Sequence, residues 1–294
     1  MTSYSDLGKL VTNEIIMPIR EKTIIRELLK VNTKYKEMSK DSIESWKFSD
    51  LSDPIVKRGL PDDSIFRDGI RSAANTVLMS SVIEGFKIER QEYDNYINEG
   101  IMIDTDVAII AAEKVAEGEN TLGLVGQSLD GTVYTIEGMK NLTGKSTEST
   151  AADFGTYGNA LTKVALAKST LKAAGVSASA YNLTLNQTQY AELEASLSTT
   201  GASEWDQVMR ALNGGSGTMG QIRESSDVTA ATGFLTPVDP SGKYFQMYET
   251  YPPTVGFGED SKLPEGTSPI YGTLFSRVGF DWKYPEAVCY LTAI

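Results

Sequence analysis

The sequence predicts an α+β protein built as two lobes, and three observations carry that expectation. The chain closes on "RVGFDWKYPEAVCYLTAI", whose apolar residues alternate as sheet strands do. Its middle, between about 127 and 260, is rich in helical periodicity. Residues 46–88 are extended but carry no apolar face wide enough to build a core of their own. Strands toward both ends and helices between them suggest that the termini form one lobe and the middle is inserted as the other.

Composition sets the bounds. The 294 residues, 40% hydrophobic and 22% charged, are enough for one large core or two modest ones. A net charge of −12 argues against a general nucleic-acid binder, which needs Lys and Arg to displace counterions. The chain holds no histidine, which excludes histidine triads, general bases and metal ligands. Its one cysteine, Cys289, cannot form an internal disulfide; it reads as a small buried hydrophobe or as a reactive thiol. The start has no basic segment leading into an apolar run, and no stretch reaches the roughly 20 apolar residues of a membrane span. The expectation is a cytoplasmic protein that contacts no membrane.

Taken in order, Ser5 to about Lys40 reads as helix in two pieces, "DLGKLVTNEIIM" and "IREKTIIRELLKV", parted by Pro18. Seven cations (Arg20, Lys22, Arg26, Lys30, Lys34, Lys36, Lys40) outnumber Glu21, Glu27 and Glu37 there, forming either a solvated face or a contact for an acidic partner. In residues 46–88, Pro54, Gly59, Pro61, Gly69 and Gly85 break β-branched and aromatic runs into strands and turns. The strongest helix signal is "IDTDVAIIAAEKVAEGENTLGLVG", with Asp104 or Thr105 as N-cap, Gly126 as terminator, and Val107, Ile110, Ala111, Val115 and Leu122 facing inward. A second helix runs from about Tyr157 to Gly175, with Leu161, Val164, Ala165 and Leu171 inward. "AYNLTLN" alternates as a strand. "QTQYAELEASL" and "EWDQVMRALNGG" are helices joined by "STTGAS". Turns and strands dominate from Thr218. Near the end Ile270, Leu274, Val278, Phe280 and Trp282 line one face, with Tyr271, Thr273, Arg277, Asp281 and Lys283 opposite.

No arrangement of residues commits the chain to catalysis, and no catalytic, metal or cofactor residue is assigned. "GLVGQSLDGTVYTIEG" fits neither phosphate-binding glycine pattern and reads as turns. Glu259, Asp260 and Glu265 sit in a polar loop suited to solvent or weak cation binding. The Asn-x-Thr triplets at Asn141, Asn182 and Asn186 match a glycosylation pattern that arises easily by chance.

Three stretches resemble encapsulins, the shell proteins of protein nanocompartments that share the tailed-phage major capsid fold. "IERQEYDNYINEG", the helix after it and "IEGMKNLTG" are similar to the family's strand, spine helix and turn. "YGNALTKVALAKSTLKAAGVSASAYNLTLNQTQYAELEAS" resembles its axial (A) domain, and "VGFDWKYPEAVCYLTAI" its closing peripheral (P) domain strands. The resemblance implies an N-terminal helical arm at 1–45, an extended E-loop with flanking strands at 46–88, and a P-domain with spine helix at 89–126. An A-domain at 127–260 and final P-domain strands at 261–294 complete it. It implies that Ile55, Val56, Lys57, Arg58, Ile65 and Phe66 reach a neighbouring subunit. Ser198, Thr199, Thr200, Gly201, Ala202 and Ser203 would line a pore, and Leu7, Leu10, Arg20, Lys22 and Arg26 would face the lumen.

The function so implied is a non-enzymatic, icosahedral homo-oligomer that encloses a cargo protein. One alternative is a viral or proviral major capsid protein around double-stranded DNA. The other, from a different class, is a cytosolic carboxylate-based hydrolase in which 46–88 forms a lid. No long scaffolding extension precedes the arm, which favours the nanocompartment.

Overall fold

In a computed structural model the described residues are 11, 19, 22–48, 71–99, 105–129, 134–214, 219–259 and 269–294. They divide into two compact units. The first draws on residues 1–41, 78–141 and 247–280, and the second on 42–77, 142–246 and 281–294.

The first unit opens with α1 (Ile24–Leu28), which ends sooner than the predicted helix through Lys40. Leu29 is already extended (φ −108°, ψ 142°), and β1 (Lys30–Asn32) follows. Val31, Asn32 and Thr33 are poor helix formers, and pairing β1 with the edge of a sheet satisfies their backbone instead. That sheet has the order β1-β11-β12-β4, where β4 is Ser80–Ile88, β11 is Phe245–Glu259 and β12 is Ile270–Trp282. β12 and β4 run antiparallel with Ile270 opposite Ile88 and Val278 opposite Ser80.

After β4 come α2 (Arg90–Glu99) and α3 (Asp106–Leu124). The predicted inward face of α3 is corrected at two positions: Val107 and Ile110 are exposed, Ile110 by 58%. Ala111, Val115 and Leu122 are buried as predicted, and Ala108, Ala112 and Ala116 join them. Small residues win because the helix lies close to its neighbours. A Cβ on Gly118 would come within 2.6 Å of Val82, and one on Gly123 within 2.3 Å of Ile25. The core here joins Phe86, Ile88, Tyr93, Val115, Ile270 and Leu274, each burial contributing about 1.5–3 kcal/mol. The helix stops at Gly126, whose φ of +82° opens a hairpin of β5 (Gly126–Leu129) and β6 (Tyr134–Glu137).

The second unit holds a five-stranded sheet of order β7-β13-β10-β8-β9. Its strands are β7 (Ser146–Glu148), β8 (Tyr181–Leu185), β9 (Ile222–Glu224), β10 (Thr232–Pro237) and β13 (Cys289–Thr292). The helices α4 (Asn159–Ala173), α5 (Gln187–Ala195) and α6 (Glu204–Asn213) belong to it, as do most of β2 (Ser42–Phe48) and β3 (Arg71–Leu78). β8 alternates in sequence yet is buried along its whole length, Asn182 and Thr184 included. The two final strands lie in different sheets: β12 pairs with β4, while β13 pairs with β10 and β7. The predicted apolar face of β12 is buried at all five positions, but Asp281 on the opposite face is buried as well.

Candidate assembly surfaces and loop

Residues 196–204 join α5 to α6 as a small hairpin bonded to itself. Leu197 and Ser203 form an antiparallel bridge, and the Ser198 N–H donates to Ala202 O at 2.9 Å. The Ser198 hydroxyl accepts from the N–H groups of Ala202 (2.8 Å) and Thr200 (3.3 Å) and lies 3.0 Å from the Thr200 hydroxyl. Gly201 turns the chain at φ +80°, a conformation costly for any residue with a Cβ. The six predicted pore residues therefore form one continuous structure. None of Ser198, Thr199, Thr200, Gly201, Ala202 and Ser203 carries a charge. Beneath the loop, Glu204 is fully buried.

Beside this loop the outward side of α6 borders an open groove of about 610 Å³ lined by Asp206, Met209, Arg210 and Asn213. These positions recur at helical spacing on one face.

Of the predicted arm residues, Leu7, Leu10 and Arg20 lie outside the described residues, as do all six predicted E-loop residues from Ile55 to Phe66. Lys22 is half exposed and pairs with Glu113 at 3.2 Å. Arg26 is bound within its own unit. Its Nε and Nη2 grip Glu119 at 2.7 and 2.9 Å, and Nη1 meets Glu249 at 2.6 Å. Burial disfavours its charge, but the bonds and charges of Glu119 and Glu249 outweigh that and raise its pKa above the ordinary value. The basic excess read from the sequence is thus partly neutralised at Arg26.

On the first unit's sheet, the face opposite the buried residues presents Ile83 (61% exposed) and Tyr271, with the half-buried Phe275 directly opposite Ile83. Neighbouring exposed apolar groups of this kind make the face a candidate interaction surface.

Two buried groups deserve a chemical reading. Lys163 lies fully buried, its Nζ donating to Thr292 O at 2.8 Å and to Thr150 O. Burial lowers its pKa, opposed by the charges of Glu148 and Cys289. The Cys289 thiol is pushed up to about 12, chiefly by burial and further by Glu148, so at neutral pH it is no thiolate nucleophile. Among the described residues no cluster of three or more carboxylates or cysteines could hold a metal ion, and no helix is long and apolar enough to cross a membrane. The asparagines of the three Asn-x-Thr triplets hold up turns and caps. Asn141 accepts from the Gly138 N–H, Asn182 from the Gln221 N–H, and Asn186 caps α5 through the Thr188 N–H. Sequence reasoning missed Glu204, Lys163 and Asp281, because a single charged residue at a helix start or on an alternating strand gives no sign of burial.

This succession of elements is the tailed-phage capsid fold, and the chain is a shell-forming protein. It belongs to the family described as encapsulating protein for peroxidase, whose profile matches residues 67–218. Among solved structures it is similar to the virus-like particle from Pyrococcus furiosus (TM-score 0.69, 15% identity, covering 97% of this chain and 99% of that one). It is also similar to the capsid of Myoviridae phage XM1 (TM-score 0.64, 13% identity, 92% of each chain). The capsid of the empty GTA particle follows (TM-score 0.62, 15% identity, 93% of this chain and 90% of that one). A search of curated protein sequences finds no match.

Proposed function

We propose that many copies of this chain close into an icosahedral compartment in the cytoplasm that encloses a cargo protein, with no catalysis of its own. The observation that carries the reading is the family match over residues 67–218. The family's description makes a peroxidase the first cargo to test. The exposed Ile83 and Tyr271, beside the half-buried Phe275, suit a surface that further copies cover. In this reading residues 89–126 and 261–294 form the peripheral domain and residues 127–260 the axial domain. Residues 46–88 supply the extended loop that reaches a neighbour, and residues 198–203 line a pore at a symmetry axis. Interfaces of about 1,000–2,000 Å², repeated around each axis, would hold the shell.

Light scattering after size exclusion, with negative-stain microscopy, tests the proposal. Hollow megadalton particles support it, and a monomer or dimer under every condition overturns it. Deleting residues 55–74 should leave folded subunits that do not assemble. The capsid reading rests on the likeness to the phage and GTA structures; packaged DNA in purified particles, in place of protein cargo, would favour it.

A further inference from the structure

The loop at 196–204 is fastened by one buried carboxylate, Glu204, the first residue of α6. Its Oε2 accepts from the Ser196 hydroxyl at 2.8 Å, and its own N–H donates to Ser196 O at 3.1 Å, so both ends of the loop are tied together. Its Oε1 accepts at 3.0 Å from the N–H of Leu161, in the first turn of α4. That N–H is one of the donors an α-helix leaves without an internal partner. A buried carboxyl group is costly when its oxygens lack partners, and here the N-terminus of α4 and a hydroxyl supply them. The carboxylate therefore closes the loop and fixes it to a second helix in one step. Above it, Ser198 accepts from the N–H groups of Thr200 and Ala202 through its hydroxyl and from that of Gly201 through its carbonyl, so the tip of the loop is bonded to itself.

We infer that Glu204 is a positioning residue that makes this loop a fixed, uncharged, hydroxyl-edged aperture, which admits small polar solutes by size and does not open and close. The inference rests on the proposed reading that residues 198–203 line a pore. A rim that must open needs bonds that break readily, whereas this one is cross-tied at its base and across its tip. No residue between 198 and 203 supplies a charge to attract or reject ions at the rim.

The test uses assembled full-length particles. Ser196→Ala removes only the loop-side bond, Glu204→Ala removes both, and Glu204→Gln keeps an acceptor for Leu161 and a partner for Ser196. Two readouts are taken. One is hydrogen exchange at the Ser198 and Ala202 amides. The other is quenching of trapped fluorescein-dextran by acrylamide and by nitroxide-tagged polyethylene glycols of rising length. The wild type should show slow exchange and a sharp size cut-off. In Ser196→Ala exchange should quicken about tenfold, as expected for losing one hydrogen bond; in Glu204→Ala, which loses two, it should quicken more; and in both longer quenchers should enter. Glu204→Gln should stay near wild type. If Glu204→Ala does not fold, Ser196→Ala carries the test. Unchanged loop exchange in that variant overturns the role of Glu204, as does entry of long quenchers into wild-type particles. Faster exchange with every entry rate unchanged instead overturns the reading of the loop as a pore.

Discussion

Replacing Arg26 by methionine removes the one cation between two buried carboxylates while keeping much of its volume. Glu119 is fully buried and Glu249 nearly so, and each bonds the guanidinium at 2.6–2.9 Å. Breaking a buried pair by deleting one partner costs about 3–5 kcal/mol, because the remaining charge is left uncompensated. Glu119 and Glu249 are then left buried without the cation they share, so removing the charge of one of them should relieve part of the cost. Urea unfolding at fixed protein concentration measures the loss. Adding Glu119→Gln should recover part of it, giving a clear coupling energy in the double-mutant cycle. A loss below about 1 kcal/mol would refute the reasoning.

Three further outcomes follow from the same kind of geometry. Gly123→Ala should destabilise by about 1–3 kcal/mol, since its Cβ would meet Ile25 Cγ1 at 2.3 Å, and combined with Ile25→Ala, which removes that carbon, the two losses should come to less than their separate values in thermal unfolding. Cys289 should resist maleimide in native particles and react only on unfolding, because its thiol is buried and pushed up to about 12; prompt labelling would contradict this. Burial pushes the Asp239 pKa up, but hydrogen bonds from Tyr244, Lys243, Ser241 and Phe245 outweigh it and leave the pKa below the usual 3.8. Such a carboxylate stabilises the fold above the unfolded value and loses that contribution as pH falls through the folded one. Asp239→Asn should cost about 2 kcal/mol at neutral pH, and the gap from wild type should close in acid denaturation.

Periodicity made the long helix, the loop between α5 and α6 and the apolar face of β12 legible, because each is set by local spacing. What spacing could not convey was which side of α3 packs. The larger Val107 and Ile110 looked inward, yet close approach to Val82 and Ile25 demands alanine and glycine there. Nor could it show that the chain leaves the helical register at Leu29, a choice decided by the pairing of β1 with β11. The candidate loop was legible as a place and not as a mechanism. Its six small residues stand in the sequence, but the carboxylate that fastens them takes its partner from α4, far away in the chain.

Buried polar groups in this protein join segments that the chain itself separates widely. Asp281 shows the pattern best. Fully buried, it accepts from Ser45 at 2.6 Å, Gln246 at 3.1 Å and Asn75 at 3.4 Å. Such groups gain little net stability over a well-packed apolar core, so their use points to specificity of arrangement. A subunit that must present the same patches to every neighbour in a closed shell needs that specificity, because an error in one copy recurs around each axis. Asp281→Leu should therefore do two separable things. It should destabilise by about 2–4 kcal/mol, as three donors lose their acceptor. Particles grown at a temperature where the variant is still folded should also be uneven in size by mass photometry and microscopy, while Gly123→Ala, with a similar stability loss, should give uniform ones. Equal uniformity in both would assign Asp281 to stability alone and remove specificity as the reason for burying it.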